Sequence, residues 1–322
     1  MAARRGRYAP SPTGAIHLGN ARTALLAWLD ARAAGAAFVM RVEDLDRARV
    51  VAGAEARLFD DLRWLGLDWD EGPEQGGAFA PYRQSERVAR YDEAVARLLA
   101  AGRAFPCACS RADVARAASA PHAGDEEGPR YAGTCRGVPV AEIEARAAAQ
   151  GRAPAIRFDG RSERLSFVDL VHGEVAAGPE GVDDFVLRRA DGTAAYQLAV
   201  VVDDAAMEIT RVVRGDDLLA STPRQLALYA ALGAAPPTFA HVPLVLAPGG
   251  ERLAKRTRPT SLADLRARGV APEAVVGALA ASAGLCAPGT RLRAAALVDE
   301  FSLARVARAP AVVDVDLDAL TI

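Results

Sequence analysis

The chain has few cysteines, almost no lysine and no long apolar run. Its four Cys among 322 residues are too few for the disulfide framework that staples small secreted domains. Cys107, Cys109 and Cys135 crowd into one stretch while Cys286 stands alone, a pattern that fits a metal site in a reducing cytoplasm. No segment approaches the roughly 20 uncharged residues needed to span a bilayer. The N-terminus carries Arg4, Arg5 and Arg7 with no apolar run behind them, so neither secretion nor membrane insertion is expected. Net charge is lacking too: 39 basic and 41 acidic residues leave −2. Bulk charge therefore does not mark a nucleic-acid binder, and any such binding needs a local patch. Of the basic residues only Lys255 is a lysine. In a chain so biased toward arginine, the surviving lysine suggests a position where a compact ammonium on a flexible stem does what a planar guanidinium cannot.

What remains is ordinary globular composition, 51% hydrophobic and 25% charged, long enough for a large core and nearer two domains than one. Arg4 to Ala9 reads as a strand that breaks at Pro10-Ser11-Pro12-Thr13-Gly14. Leu18, Ala21, Leu25, Trp28 and Leu29 then recur at helical spacing until Gly35 stops the pattern. Ala37 to Val42 is a compact apolar strand, and a second helix is expected from Val50 to Leu65. Strand, helix, strand, helix predicts an α/β fold with a parallel sheet and crossover helices. A further helix is expected over Ser85 to Ala101. Composition then changes around the cysteines and a Gly/Pro/Asp/Glu-rich loop from Pro121 to Pro129. The expected organisation is a sheet domain in two halves, 1–102 and 195–247, around an inserted domain, 103–194. The second half is read as strands at Tyr196–Val202, Ile209–Val213 and Val242–Leu246 with a helix over Thr222–Leu232. Residues 248–322 are expected to hold a loop and then short Ala/Leu helices.

The chemistry concentrates at the joints. His17-Leu18-Gly19-Asn20 falls where the first strand turns into the first helix, the sheet edge at which α/β folds bind nucleotides. A helix N-terminus offers unpaired amides to phosphate, Gly19 lets a flat base approach the backbone, and His17 can donate to phosphate oxygens. A lone His-x-Gly is a weak signal. Glu251-Arg252-Leu253-Ala254-Lys255-Arg256 strengthens it, because Pro248-Gly249-Gly250 places the one lysine on a Gly-hinged loop after the last sheet strand. Phosphoryl and nucleotidyl transfer need positive charge on the phosphate oxygens more than a covalent catalyst.

With these two motifs the sequence resembles the class I aminoacyl-tRNA synthetases. Arg7-Tyr8-Ala9-Pro10-Ser11-Pro12-Thr13-Gly14 and Arg41-Val42-Glu43-Asp44-Leu45-Asp46 are similar to the glutamate branch. Val213-Arg214-Gly215-Asp216-Asp217-Leu218-Leu219 with Ser221-Thr222-Pro223-Arg224-Gln225 resembles the second half of the same nucleotide fold. The resemblance implies a Rossmann-type catalytic domain that binds ATP, with Mg2+, through His17, Gly19, Asn20 and Lys255, with His17 and Lys255 catalytic. Two departures stand out. Asn20 replaces the His or small residue that usually closes the first signature, and Arg252 and Ala254 replace Lys and Ser in the second. Altered loop kinetics rather than lost activity is expected from them.

A glutamate side chain offers a carboxylate that a guanidinium binds bidentately, while its ammonium wants an acid. Arg7 and Arg214 are candidates for the carboxylates and Glu43 for the ammonium. A lone Arg in so arginine-rich a chain is more often half of a structural ion pair, and it is the motif context that singles these out. The resemblance implies the same set and adds Ser11 and Tyr196. For the cysteines, three thiolates leave tetrahedral zinc wanting a fourth ligand. Chemistry alone favours His122. The resemblance favours Tyr131, because Cys-x-Cys followed by Tyr-x-x-x-Cys marks a small subfamily, the glutamyl-Q tRNA(Asp) synthetases.

Only residues 256–322 follow Lys255, enough for a stem-contacting helical segment but not for the anticodon-binding body that the resemblance implies for glutamyl-tRNA synthetases. The expected activity is therefore ATP-dependent activation of L-glutamate and its transfer to the queuosine of tRNA(Asp), by a cytoplasmic protein that need be no more than a monomer. Two alternatives remain open: a glutamyl-tRNA synthetase lacking its usual anticodon body, and a non-catalytic RNA-binding relic. The survival of Lys255 disfavours the relic. If Lys255 steadies the charge building on the phosphates, Lys255→Ala lowers the rate of glutamate-dependent ATP–pyrophosphate exchange far more than it weakens glutamate binding. Arg at this position rescues poorly, and unchanged exchange in the alanine variant excludes the role.

Overall fold

The computed structural model describes residues 4–117, 130–160, 165–176, 182–246 and 261–312. In chain order the elements begin with β1 (Arg5–Tyr8), α1 (Leu18–Ala33), β2 (Ala37–Met40), α2 (Ala54–Trp64) and α3 (Val88–Ala100). There follow β3 (Ala104–Cys107), α4 (Arg111–Ala117), α5 (Val140–Ala148), β4 (Ala155–Phe158), β5 (Ser166–Asp169), β6 (Gly173–Ala176) and β7 (Val186–Arg188). The remainder comprises α6 (Tyr196–Ala206), β8 (Arg211–Gly215), α7 (Thr222–Leu232), β9 (Thr238–Val242), β10 (Val245–Leu246), α8 (Leu262–Ala267), α9 (Pro272–Ser282) and β11 (Ala311–Val312).

The principal sheet has the order β2-β1-β8-β9-β5-β6. Every pairing in it is parallel except the β5–β6 hairpin, so the fold is α/β with a mixed, largely parallel sheet. Such a sheet must be covered on both faces. Leu25, Leu26 and Leu29 of α1 join Leu58 and Leu62 of α2 and Val275, Val276 and Leu279 of α9 in one core cluster. Tyr91, Val95 and Leu98 of α3 join Leu198 and Val201 of α6 and Leu228 of α7 in a second. Helix α1 is buried on nearly all sides, and Gly35, at φ 58, takes the left-handed conformation that ends it at low cost. β3, β4 and β7 form a separate antiparallel sheet. β5 and β6, although they too come from 103–194, extend the principal sheet, so hydrogen bonding crosses the division expected at those boundaries. None of the described helices is long and apolar enough to cross a membrane.

Two expected strands are corrected. Tyr196–Val202 is the start of helix α6, not a strand. Val200-Val201-Val202 carries the β-branched signal of a strand, but Leu198, Ala199, Val200 and Val201 are all buried in a helix enclosed by α3, α7 and β7, and packing overrides propensity. The expected strand at Val242–Leu246 is displaced: β9 begins at Thr238 and ends at Val242, and β10 pairs instead with β11. His241 lies within β9, and a histidine in a central strand is costly unless paired, as it is here with Asp169.

The last turn of α6 carries two buried acids that tie it to the rest of the fold. Asp203 accepts from Arg87 Nε at 2.6 Å, Tyr91 Oη at 2.8 Å and Gln84 Nε2 at 2.9 Å. Asp204 accepts from Arg7 Nε and Nη2, each at 3.3 Å, and from Arg41 Nη1. Burial works to raise the Asp204 carboxyl, but Arg41 and Arg7 beside it outweigh burial and hold it below the usual carboxylate range. Removing one partner of a buried ion pair strands the other charge in a low dielectric. Asp203→Ala is accordingly expected to cost about 3–5 kcal/mol, read from the denaturant midpoint at unchanged m-value. A loss comparable with that of a surface substitution excludes this role for the pair.

Candidate active site

A cleft of about 620 Å³ opens at the carboxyl ends of β1, β8 and β9, where the connections of a parallel sheet diverge and leave a crevice. Its wall is the β1–α1 turn from Ala9 to Ile16, held by short-range bonds such as the Thr13 amide to the Ser11 carbonyl at 2.8 Å. Arg7, Ser11, His17, Gly19, Asn20, Glu43, Tyr196 and Arg214 all line it. His17 is the N-cap of α1 but makes no side-chain cap bond, and its Nδ1 is buried without a partner among the described residues. Among the described residues a Cβ at Gly19 would meet nothing nearer than Val245 Cβ at 3.8 Å, so their packing does not demand glycine there. Asn20 takes part through its carbonyl, which accepts from Tyr8 Oη at 3.3 Å. Lys255 lies outside the described residues, as do Arg252 and Ala254. Val245 lines the cleft, and Ser261 bridges to His17, so the described residues on either side of 247–260 border the site.

Charge is arranged in two signs. Arg7 is buried with its Nε and Nη2 engaged by Asp204. Arg214 donates from Nε to His241 Nε2 and from Nη2 to Thr222 Oγ1, both at 2.9 Å, while its Nη1 is buried without a partner among the described residues. Burial pushes its guanidinium below the ordinary arginine value. Opposite in sign, Glu43 accepts from Arg41 Nη2 at 3.0 Å. Burial raises the Glu43 carboxyl above its usual range, although Arg41 and Arg7 oppose the shift. Tyr196, the first residue of α6, is 37% exposed and faces the cleft. The arrangement can hold a small zwitterion carrying a second carboxylate, with phosphate at the head of α1.

Sequence reasoning missed Asp204 and Arg41, which pin Arg7 and Glu43, and Thr222, His241 and Asp169 behind Arg214. Burial pushes His241 down to about 4 despite its hydrogen bond to Asp169, so the ring is neutral at physiological pH. A signal existed in Asp203-Asp204, acids ending an apolar run, but the strand reading would have put alternate residues in solvent.

The cysteines form a second, separate cluster. The sulfurs of Cys107, Cys109 and Cys135 lie within 4.8 Å of one another, Cys109 and Cys135 at 3.6 Å. Tyr131 Oη is 3.4 Å from Cys107 Sγ and 3.9 Å from Cys109 Sγ, and accepts from the Cys135 amide at 2.7 Å. Four tetrahedral bonds of about 2.3 Å to zinc would set sulfurs about 3.8 Å apart, so this donor set fits the ion. His122 lies outside the described residues.

A largely parallel sheet covered on both faces, with a charged cleft at the strand ends, is the arrangement in which open α/β folds bind their ligands, nucleotides among them. The family model for the class I tRNA synthetases (E and Q), catalytic domain, matches residues 4–293, and the chain belongs to that family. A glutamyl-Q tRNA(Asp) synthetase from Symbiobacterium thermophilum is 54% identical over 95% of this chain and 94% of its own length. The glutamate–tRNA ligase of Heliobacterium modesticaldum is 45% identical over 96% of this chain and 62% of its own. The crystal structure of a glutamate–tRNA synthetase from Elizabethkingia anophelis superposes with a TM-score of 0.84 at 30% identity, covering 98% of this chain and 69% of that one.

Because its carboxyl is raised in the fold, Glu43 contributes stability that is present below the ordinary carboxylate range and lost as pH rises through the folded value. Glu43→Gln is therefore expected to melt higher than the parent near pH 7, with the gain vanishing in acid. The same change is expected to weaken L-glutamate by about tenfold or more, the worth of a charge-assisted hydrogen bond. Melting across pH and calorimetric titration check the two halves. A variant that is less stable at neutral pH, or binds as before, refutes the assignment.

Proposed function

We propose that the protein activates L-glutamate with ATP and transfers it to the queuosine of tRNA(Asp). The observation that carries this reading is the presence, in one cleft, of Arg214, whose Nη1 has no partner among the described residues, and of the half-buried acid Glu43. A dicarboxylic amino acid satisfies both, its carboxylates on Arg214 and Arg7 and its ammonium on Glu43, with Ser11 and Tyr196 completing the pocket. His17 and the amides at the head of α1 take the ATP phosphates, Gly19 leaves room for the base, and Asn20 and Lys255 belong to the same nucleotide subsite, with Mg2+ on the phosphates. An α-carboxylate oxygen of glutamate attacks the α-phosphorus and pyrophosphate leaves. A hydroxyl of the acceptor then attacks the acyl carbon and AMP leaves.

Residues 1–102 and 195–247 serve in this reading as the catalytic body, 103–194 as an acceptor-facing insertion, and 248–322 as the signature loop and a helical stem contact. Zn2+ on Cys107, Cys109, Cys135 and Tyr131 would staple the insertion, supplying structure rather than transfer chemistry. Elemental analysis of protein purified without added metal is expected to find one zinc per chain. Its loss on Tyr131→Phe supports Tyr131 as fourth ligand, whereas loss only on His122→Ala assigns His122.

The acceptor follows from chemistry and from the relatives' names. An aminoacyl adenylate ordinarily meets vicinal hydroxyls of a terminal ribose, and the cyclopentene ring of queuosine carries its own adjacent pair, so one attack geometry serves both. With a net charge of −2, RNA binding should rely on a local arginine-lined surface and weaken with salt. Labelled glutamate and ATP are incubated with queuosine-containing tRNA(Asp), the same tRNA without queuosine, or tRNA(Glu). Label is expected on the first alone, and is expected to survive removal of the terminal adenosine. Charging of tRNA(Glu) instead would make this a glutamyl-tRNA synthetase.

A further inference from the structure

Behind Arg214 stands a chain of buried groups that the proposed reaction does not itself use. Arginine stays protonated in proteins, so the Nε–H of Arg214 can only donate. His241 Nε2, 2.9 Å away, must therefore present a lone pair, and the proton of the neutral ring must sit on Nδ1. Asp169 Oδ2 lies 2.7 Å from that Nδ1 and also accepts from the His241 amide at 3.1 Å. The other carboxylate oxygen accepts from the amides of Val171 and His172 at 2.9 and 3.0 Å. The carboxylate is thus fixed before it meets the ring. Asp169, His241 and Arg214 are 1%, 0% and 4% exposed. With Thr222 Oγ1 accepting from Nη2, the Nε–Nη2 edge of the guanidinium is consumed inside the protein. Among the described residues, the polar atom of these three side chains left without a partner is Arg214 Nη1, on a residue that lines the cleft.

We propose that His241, oriented by Asp169, is a positioning residue for the amino acid: it sets the tautomer and the guanidinium orientation that aim Arg214 Nη1 at a glutamate carboxylate. Reversing the tautomer would set two N–H groups against each other and turn Arg214 away. Phe239 stacks along His241 with ring centroids 6.0 Å apart and lies under the guanidinium, whose carbon is 5.2 Å from the Phe239 centroid, which limits motion of both out of their plane. The chain begins on β5, within 103–194, so part of the amino-acid pocket is set from outside the two halves of the catalytic body. This inference rests on the proposal that Arg214 holds a substrate carboxylate.

The test is glutamate-dependent ATP–pyrophosphate exchange, with KM for glutamate and for ATP measured separately in the full-length protein. His241→Ala is expected to raise KM for glutamate by about tenfold or more while KM for ATP stays within about twofold. His241→Gln, whose new side-chain oxygen can accept from Arg214 Nε without help from Asp169, is expected to restore most of the affinity. Asp169→Asn is expected to raise KM for glutamate when His241 is present and to leave it nearly unchanged in the His241→Gln background, a non-additivity that general loss of packing does not produce. The 15N spectrum of the wild-type imidazole is expected to report the Nδ1–H tautomer, and this readout stands even where the alanine variant fails to fold. An Nε2–H tautomer, an unchanged KM for glutamate in His241→Ala, or an equal rise in both KM values overturns the inference alone, provided the wild type exchanges. A wild type with no exchange overturns the proposed activity and this inference with it.

Discussion

Asp204 holds two arginines from neighbouring stretches of the sheet, and much of the site depends on that contact. Arg7 leaves β1 and Arg41 follows β2, and both meet a carboxylate on the last turn of α6. Taking three charges out of water costs several kcal/mol for each ion, and the cost is tolerable only when geometry and hydrogen bonding are nearly complete. That requirement places the end of α6 against the β1–β2 edge. A helix rises about 1.5 Å per residue, so fixing Asp204 also fixes Tyr196 at the other end, where it meets the cleft. One helix thus anchors two arginines at its end and presents a phenol to the cleft at its start.

The cleft carries charge of both signs. Burial raises Glu43 and lowers Arg214, so each is held in a charge state that the protein interior disfavours. A ligand bearing an ammonium and a second carboxylate would relieve both at once, whereas a neutral ligand would relieve neither. In the proposed reading, selectivity for an acidic amino acid arises from these two groups more than from shape, since a partly desolvated charge penalises an occupant that brings it no counter-charge. Perturbed groups gathered in a crevice are a common mark of a working site.

The cysteine cluster obeys a different logic. Its donors come from the strand end at Cys107 and the turn around Tyr131 and Cys135, with Arg157 nearby, its guanidinium carbon 4.0 Å over the Tyr131 ring. Those contacts join segments that share little apolar surface, in a core cluster far smaller than the two that flank the principal sheet. A cross-link has most value where a core is small. The same region also lends β5 and β6 to the principal sheet, so it is attached to the catalytic body by backbone hydrogen bonds as well as by the chain.

Much of the cleft was legible in the sequence because it is written locally. The Pro10–Gly14 break and the helical spacing from Leu18 are short-range features, and short-range sterics and spacing decide them. The helix at Thr222–Leu232 was legible for the same reason. The fold of Tyr196–Val202 was not, since a run of β-branched residues favours a strand until three neighbouring elements enclose it. Nor were the partners of the charges. Arg7 and Asp204 are 197 residues apart, and His241 and Asp169 are 72 apart. The sequence by itself determined which groups could carry charge and where the chain must turn; only the tertiary structure decided which charge faces which, because that choice depends on a low-dielectric interior assembled from segments distant along the chain.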